Sequence, residues 1–142
     1  MNTVKQILDS KGQEVFSVGP DQTVFEAMKV MAEKEIGALI VLDGEKPVGI
    51  ITERDYARKI ILKGRQSRDT PVREIMTAKV IYVRPSTTVE ECMALMSGKK
   101  IRHLPVLEGE ALCGMLSIRD LMKATIADQQ FTIEQLERYI TG

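Results

Sequence analysis

The chain has 142 residues, 44% apolar and 28% charged, and its 20 basic and 20 acidic side chains give a formal net charge of zero. This composition is typical of a globular protein with a hydrophobic core, and the lack of net positive charge argues against nucleic acid as a partner. No apolar run approaches the roughly 18 residues of a membrane span, and the first residues, "MNTVKQILDS", lack the pattern of a signal peptide. The two cysteines suggest reduced thiols, so we expect a cytoplasmic protein that contacts no membrane.

An internal repeat organises the chain. Residues 18–55 match residues 83–120 without a gap when the sequence is shifted by 65 positions. The matched pairs include Pro20 with Pro85, Thr23 with Thr88, and Gly49 with Gly114. With a shift of 68 positions the similarity extends to the segments that begin at Val4 and Val72. Self-similarity of this kind indicates a duplicated structural unit.

Each repeat predicts the same elements in the same order. The segments 14–18 and 79–83 are rich in β-formers and predict a first strand. Thr23-x-x-Glu26 and Thr88-x-x-Glu91 are capping boxes, which predict that a helix starts there. In the first repeat the strand 38–42, the Asp43-Gly44 turn and the strand 47–52 predict a hairpin, and a second helix begins near Glu53.

The predicted fold class is therefore α+β, with tandem β-α-β-β-α repeats. We expect repeat 1 at residues 1–65, repeat 2 at residues 66–128 and a helical extension at residues 129–142. The two sheets would pack around a pseudo-twofold axis, because a unit of this size buries too little surface alone. Thr132 and Gln135, three residues apart, predict the start of a separate short helix in the extension.

The most distinctive repeated motif is "GIITERD" at 49–55 and "GMLSIRD" at 114–120. One interpretation is structural, because Thr52-x-x-Asp55 and Ser117-x-x-Asp120 match the pattern of a helix cap. The other is functional, because a helix N-terminus attracts phosphate and a fixed carboxylate can accept hydrogen bonds from ribose hydroxyls. Capping does not require the arginine that recurs in both motifs, at Arg54 and Arg119.

The duplication, the Pro-x-x-Thr/Thr-Val helix entries and the two Thr/Ser-x-x-Asp turns resemble a tandem pair of CBS domains, or Bateman module. The resemblance extends from Val4 to about Ala127. The segments "IRHLPV" and "RYITG" are similar to small stand-alone bacterial members. The family implies adenine nucleotide ligands: AMP, ADP, ATP, and in some members NAD or S-adenosylmethionine.

The resemblance also implies roles for individual residues. The aspartates would bind ribose, and the hydroxyls of Thr52 and Ser117 would lie near ribose or phosphate. The backbone would hold adenine at Phe16, Ile81, Gly37, Ala38, His103 and Leu104. The resemblance places Arg102 and His103 at phosphate, and a guanidinium fork suits phosphate oxygens. His103, with an ordinary pKa near 6.5, would gain charge in mild acid.

We therefore expect a regulatory module with adenine nucleotide in the cleft between the repeats, acting by ligand-dependent conformational change. No catalytic motif is present, and one histidine with two separated cysteines cannot form a tetrahedral zinc site, so we expect neither an enzyme nor a metal cofactor. The expected partners are adenine nucleotide, a second copy in a homodimer and an unidentified regulated protein. The alternative is a constitutive structural or assembly protein whose nucleotide sites are vestigial.

Overall fold

The computed structural model describes residues 2–141, which form an α+β fold with two small sheets. The elements are α1 (Val4–Lys11), β1 (Ser17–Val18), α2 (Val24–Lys34), β2 (Ala38–Asp43), β3 (Lys46–Thr52), α3 (Glu53–Tyr56), α4 (Val89–Lys99), β4 (His103–Glu108), β5 (Ala111–Ser117) and α5 (Ile118–Thr141). A π-helical turn (Ala57–Ile61) continues α3, and two 3₁₀ turns (Ser67–Asp69 and Val72–Glu74) precede the second repeat.

The chain divides into two compact units that do not follow the order of the repeats. One unit is residues 15–81, and the other joins the chain up to Glu14 with the chain from Tyr82 onward. The expected division at residues 65 and 128 follows chain order instead. The difference arises because the segment that precedes each repeat belongs to the unit of the other repeat.

Backbone hydrogen bonds explain this exchange. The N–H of Val4 donates to the carbonyl of Thr87, and the N–H of Val89 donates to the carbonyl of Asn2, both at 2.9 Å. In the other unit the N–H of Val72 donates to the carbonyl of Gln22, and the N–H of Val24 donates to the carbonyl of Thr70, both at 2.8 Å. Each unit is thus closed by a short segment laid beside the first turn of its own α2 or α4.

The unit of residues 15–81 contains the sheet β1-β2-β3. β1 is parallel to β2, and β2 pairs antiparallel with β3, so that Ala38 lies opposite Thr52. The predicted turn is present, and Gly44 takes φ +65°, a conformation that favours glycine. One buried hydrophobic cluster of this unit consists of Val18, Val24, Ala27, Met31, Leu39, Val41, Ile51, Ile60, Val72 and Ile75.

In the other unit the sheet is the hairpin β4-β5, with His103 opposite Ser117. The prediction of a strand over residues 79–83 was wrong for most of that segment, which forms only a single parallel bridge between Val83 and Val106. Val83 is buried, whereas the residues just before it are half-buried or exposed, so the apolar pattern does not lead to strand pairing. The strand over residues 14–18 is likewise reduced to Ser17–Val18.

The C-terminal extension is a helix, but it does not start separately. α5 runs without interruption from Ile118 to Thr141, because this stretch contains neither glycine nor proline. Thr132 is therefore not a cap, and its Oγ1 donates to the carbonyl of Asp128 at 3.0 Å, one turn back in the helix. The predicted start of a helix at Thr132 was wrong.

The repeated glycine of the "GIITERD" and "GMLSIRD" motifs has a packing role. A Cβ added to Gly49 would lie 2.7 Å from Sδ of Met76 and 3.0 Å from the backbone oxygen of Thr77. A Cβ on Gly114 would lie 2.7 Å from Cδ2 of Leu8. In both units the glycine therefore lets the closing segment approach the last strand of the hairpin.

We predict that Gly49→Ala lowers the free energy of unfolding by about 1–3 kcal/mol, the usual cost of overpacking. Gly98→Ala is the matched control, because nothing lies within 4 Å of its added Cβ and Gly98 lies in the last turn of α4. The control should leave stability unchanged or raise it by up to about 1 kcal/mol, because alanine has the higher helix propensity and Gly98 lies near the helix end. Urea unfolding of both variants measures the difference, and wild-type stability for Gly49→Ala would contradict the packing role.

Candidate functional site

The turn at the start of α3 is a reciprocal helix cap. Thr52 Oγ1 accepts from the N–H of Asp55 at 3.1 Å, and Asp55 Oδ2 accepts from the N–H of Thr52 at 3.0 Å. Asp55 occupies the position that glutamate takes in the usual capping box. The structural interpretation of the motif is therefore correct as far as the helix start is concerned.

The other oxygen of Asp55 has partners of its own. Nζ of Lys59 lies 3.1 Å from Oδ1, and Oγ1 of Thr77 donates to the same oxygen at 3.4 Å. Lys59 also donates to the carbonyl of Ile75 at 2.8 Å. Asp55 is only 8% exposed, so the structure contains a buried carboxylate that is paired with an ammonium group at the end of a strand.

The turn at the start of α5 repeats this geometry with a different lysine. Asp120 Oδ2 accepts from the N–H of Ser117 at 2.8 Å, and Ser117 Oγ accepts from the N–H of Asp120 at 3.2 Å. Nζ of Lys11, at the end of α1, lies 2.8 Å from the same Oδ2 and donates to the carbonyl of Met115 as well. α1 thus delivers a cation to the second carboxylate.

The two lysines are the site residues that the sequence analysis missed. Lys59 lies four residues after Asp55, a spacing at which opposite charges on a helix meet, so it could have been found from the sequence. Lys11 lies 109 residues before Asp120, and no local pattern connects them. The lysines occupy unrelated positions in the two repeats, yet each places an ammonium group on the aspartate of its unit.

The start of each hairpin lies beside its helix cap. The carbonyl of Gly37 accepts from the N–H of Glu53 at 3.1 Å, and the carbonyl of Arg102 accepts from the N–H of Ile118 at 2.9 Å. Ala38 lies opposite Thr52 and His103 opposite Ser117 in the sheet registers. In each unit, two residues predicted to contact the ligand therefore flank the predicted ribose-binding turn.

The remaining predicted residues are less uniformly placed. Phe16 is half-buried, with its ring against the core and Lys34 Nζ 5.1 Å from the ring centroid. Leu104 is fully buried, so it could offer a ligand only its backbone. Ile81 ends the unit of residues 15–81 and so lies outside the unit of Arg102 and His103. Arg54 and Arg119 are exposed on the first turns of their helices.

Charges around Ser117 and Asp120 shift two pKa values. Burial lowers the pKa of His103 from its ordinary 6.5, Asp120 acts to raise it, and Lys11 and Arg102 lower it further. Burial alone would raise the pKa of Asp120, but hydrogen bonds from Lys11 and Ser117 outweigh it and hold the pKa below its usual range. The pKa of His103 therefore lies below the ordinary value that the sequence predicted, so protonation of its imidazole requires a more acidic pH.

Residues 2–141 contain no cluster of three or more histidine, cysteine, aspartate or glutamate side chains arranged to hold a metal ion. Within the same range, no helix has both the length and the apolar character to cross a bilayer.

Comparison with known proteins assigns the family. The sequence model of the CBS-domain family matches this chain twice, at residues 4–62 and 72–127. The chain belongs to the CBS-domain family. It is 40% identical, over an alignment 149 positions long, to the mitochondrial CBS domain-containing protein CBSX3 of Arabidopsis thaliana, and the alignment covers 99% of this chain and 72% of the relative. It is 32% identical to the CBS domain-containing protein YhcV of Bacillus subtilis, covering 85% of this chain and 84% of the relative.

A solved structure agrees with the fold. It is a CBS-domain protein from Burkholderia ambifaria whose description assigns it provisionally to signal transduction. That protein is 57% identical, superposes with a TM-score of 0.88 and covers 92% of this chain and 98% of its own. CBS-domain pairs are generally regulatory modules that bind adenine nucleotides. The predicted family and fold class are confirmed.

We predict that the single histidine, His103, titrates below pH 6.5 in the folded protein. Lys11→Met should raise its pKa by removing a nearby cation, and Asp120→Asn should lower it further. Because the unfolded chain takes up this proton first, the free energy of unfolding should fall as the pH drops below about 6.5 toward the folded pKa. NMR titration of the imidazole signals measures the pKa, and a wild-type value at or above 6.5 would contradict the prediction.

Proposed function

We propose that this protein is a regulatory module that binds adenine nucleotides, AMP, ATP or NAD, at its two Thr/Ser-x-x-Asp turns and catalyses no reaction. The observation that carries the proposal is the paired geometry of Asp55 and Asp120. Each carboxylate is fixed by backbone N–H groups at a helix start, beside the first residues of a hairpin, with a lysine ammonium in contact.

This arrangement suits the ribose and phosphate groups of a nucleotide. A carboxylate has about four lone-pair sites, so it can cap the helix and still accept hydrogen bonds from ribose hydroxyls. The lysine that neutralises the carboxylate in the absence of ligand would then turn to phosphate, which it binds as a point charge. One site would use Lys59 for this purpose and the other Lys11.

The other contacts follow from the positions of the flanking residues. Thr52 and Ser117 would meet ribose or phosphate through their hydroxyls, and Arg54 and Arg119 would offer exposed guanidinium groups. Adenine would lie against the backbone at Phe16, Gly37, Ala38, Ile81 and Leu104. Arg102 and neutral His103 would contact phosphate, the arginine through its charge and the histidine through a hydrogen bond.

The two sites should be unequal. The first repeat has Gly37 and Ala38 where the second has Arg102 and His103, so only the second site carries a cation at the start of the hairpin. We expect phosphate to contribute more to binding there. Ligand can shift the conformation of the module only by binding one state more tightly than another, and we expect the module to act as a homodimer on an unidentified protein.

A constitutive structural protein is the second candidate function, and one observation favours it. Both aspartates already cap a helix and contact a lysine, so the motif has a structural role even without ligand. Recurrence of the arginine and of the lysine contact at both turns is not needed for capping, and it supports nucleotide binding instead. Ligand titration distinguishes the two candidates.

We predict that Asp55→Asn and Asp120→Asn each weaken binding at their own site roughly ten- to a hundredfold, as expected for the loss of hydrogen bonds to a charged acceptor. The side-chain oxygen of asparagine can still accept from the N–H of Thr52 or Ser117, so the helix start should persist. Isothermal titration calorimetry with AMP, ATP and NAD measures each affinity.

Glu91→Gln is the matched control for these variants. Glu91 caps α4 through Thr88, in the same way that the aspartates cap their helices, but it lies outside the Thr/Ser-x-x-Asp turns. It should leave nucleotide affinity unchanged. If both aspartate variants bind as wild type does, or if wild type binds none of the three nucleotides, the turns are only caps and the structural candidate stands.

We predict further that Arg102→Ala weakens AMP binding roughly ten- to a hundredfold but changes adenosine binding little, because a charge-assisted contact to phosphate is lost. The measurement should be made at pH 8, where His103 is neutral and the AMP phosphate is fully ionised. Arg138→Ala, an exposed arginine on α5, is the control. Equal losses for AMP and adenosine would show that Arg102 shapes the pocket and does not bind phosphate.

A further inference from the structure

The outer part of α5 presents an apolar stripe to solvent. Met122, Ile126, Ile133, Leu136 and Ile140 are 48% to 80% exposed. The buried residues of the helix, Leu121 and Ala124, lie on a different face and anchor its first turns to the unit. Exposed apolar residues arranged in one row are typical of a protein interaction surface.

The spacing of this row is that of a coiled coil. Met122, Ile126, Gln129, Ile133, Leu136 and Ile140 follow one another at steps of four and three residues. They span roughly 80° of the helix circumference over about 27 Å. In heptad terms isoleucine occupies the a positions 126, 133 and 140, and Met122, Gln129 and Leu136 occupy the d positions. We call this row the α5 seam.

We propose that the α5 seams of two copies of this protein pair antiparallel in a coiled coil. The orientation follows from charge. The flanking e positions are Lys123, Gln130 and Glu137, with the two charges placed symmetrically about Gln130. In an antiparallel pair e faces e, so each Lys123 meets Glu137 of the second copy, whereas in a parallel pair e faces the uncharged g residues.

The same register places the core residues well. Ile126 packs on Leu136 of the second copy and Met122 on Ile140. The two Gln129 amides lie in adjacent layers near the twofold axis, where they can hydrogen-bond to each other. The pairing is short, but α5 is already helical and anchored, so association does not carry the cost of ordering a free peptide.

A neighbouring groove gives the pairing a second point of contact. The groove has a volume of about 790 Å³, lies between the start of α4 and α5, and includes Thr125, Gln129 and Ile133 in its lining. In the antiparallel register Tyr139 of the second copy lies opposite Thr125, at the edge of this groove. Tyr139 is 87% exposed, so the groove would cover an aromatic ring that otherwise faces solvent.

A charge exchange in the full-length protein tests the proposal. Lys123→Glu and Glu137→Lys should each raise the dissociation constant of the seam roughly tenfold at low salt, and the double variant should return to within about twofold of wild type. The two residues are fourteen positions apart on one helix, too far to meet within a chain. Sedimentation equilibrium measures the association, and a double variant that stays weak would overturn the antiparallel pairing.

Variants of the apolar row test the surface itself. Ile133→Asp should weaken the association at least a hundredfold, because it places a carboxylate at the centre of the seam. Phe131→Asp is the control, since Phe131 is 64% exposed on the opposite face of α5 and should leave the association unchanged. Wild-type association for Ile133→Asp, or equal loss in both variants, would overturn the proposal.

Disulfide cross-linking separates this contact from any other interface. Gln130→Cys places a thiol at the twofold axis and should form a covalent dimer under mild oxidation in a Cys113→Ala background. Cys92 should not interfere, because burial raises the pKa of its thiol to about 11. The pairing would be overturned if Gln130→Cys formed no covalent dimer, or if Phe131→Cys cross-linked equally fast. Either result would count whatever non-covalent oligomer the protein forms.

Discussion

The backbone pairing that closes each unit determines the rest of the structure. The bonds between Val4 and Thr87 and between Val89 and Asn2 position α1, and α1 in turn positions Lys11. In the other unit the pairing of Val72 with Gln22 positions the segment that contributes Thr77. The chemistry around both aspartates therefore depends on segments that are distant in sequence and held by main-chain hydrogen bonds.

This dependence explains the glycine in the repeated motif. The closing segment can bring its polar groups to the helix start only if it lies close to the last strand of the hairpin. Gly49 and Gly114 make that approach possible, because a side chain at either position would meet the segment at under 3 Å. The hydroxyl and the carboxylate then fix the helix start. One short motif thus combines a packing requirement, a helix cap and a polar site.

Much of the fold and of the two helix-start turns could be predicted from the sequence, because helix caps and hairpin turns depend on residues that are close together in the chain. The caps at Thr52 and Ser117 and the β2-β3 hairpin were found from residue type and spacing. The first strands were overestimated, since apolar pattern alone does not show whether a segment such as 79–83 reaches a pairing partner. The start of a helix at Thr132 was wrong, because a capping pattern inside an uninterrupted helix has no free N–H groups to satisfy.

The contact of Lys11 with Asp120 and the lowered pKa of His103 could not be found in this way, because the first depends on the tertiary position of α1 and the second mainly on the burial of the imidazole. A side chain that approaches from another part of the chain leaves no periodic or spacing signal near the residue it contacts. The adenine and phosphate roles of individual residues came from family resemblance, and they stay predictions.

The exchanged closing segments bear on how the duplication arose. Residues 2–11 complete the second repeat, and residues 70–77 complete the first, in a fully reciprocal manner. A single ancestral repeat with its leading segment in the same place would have found its complement on another molecule. Joining two copies of such a repeat end to end gives this arrangement, in which a substitution in either closing segment must still fit the half of the chain that the segment completes.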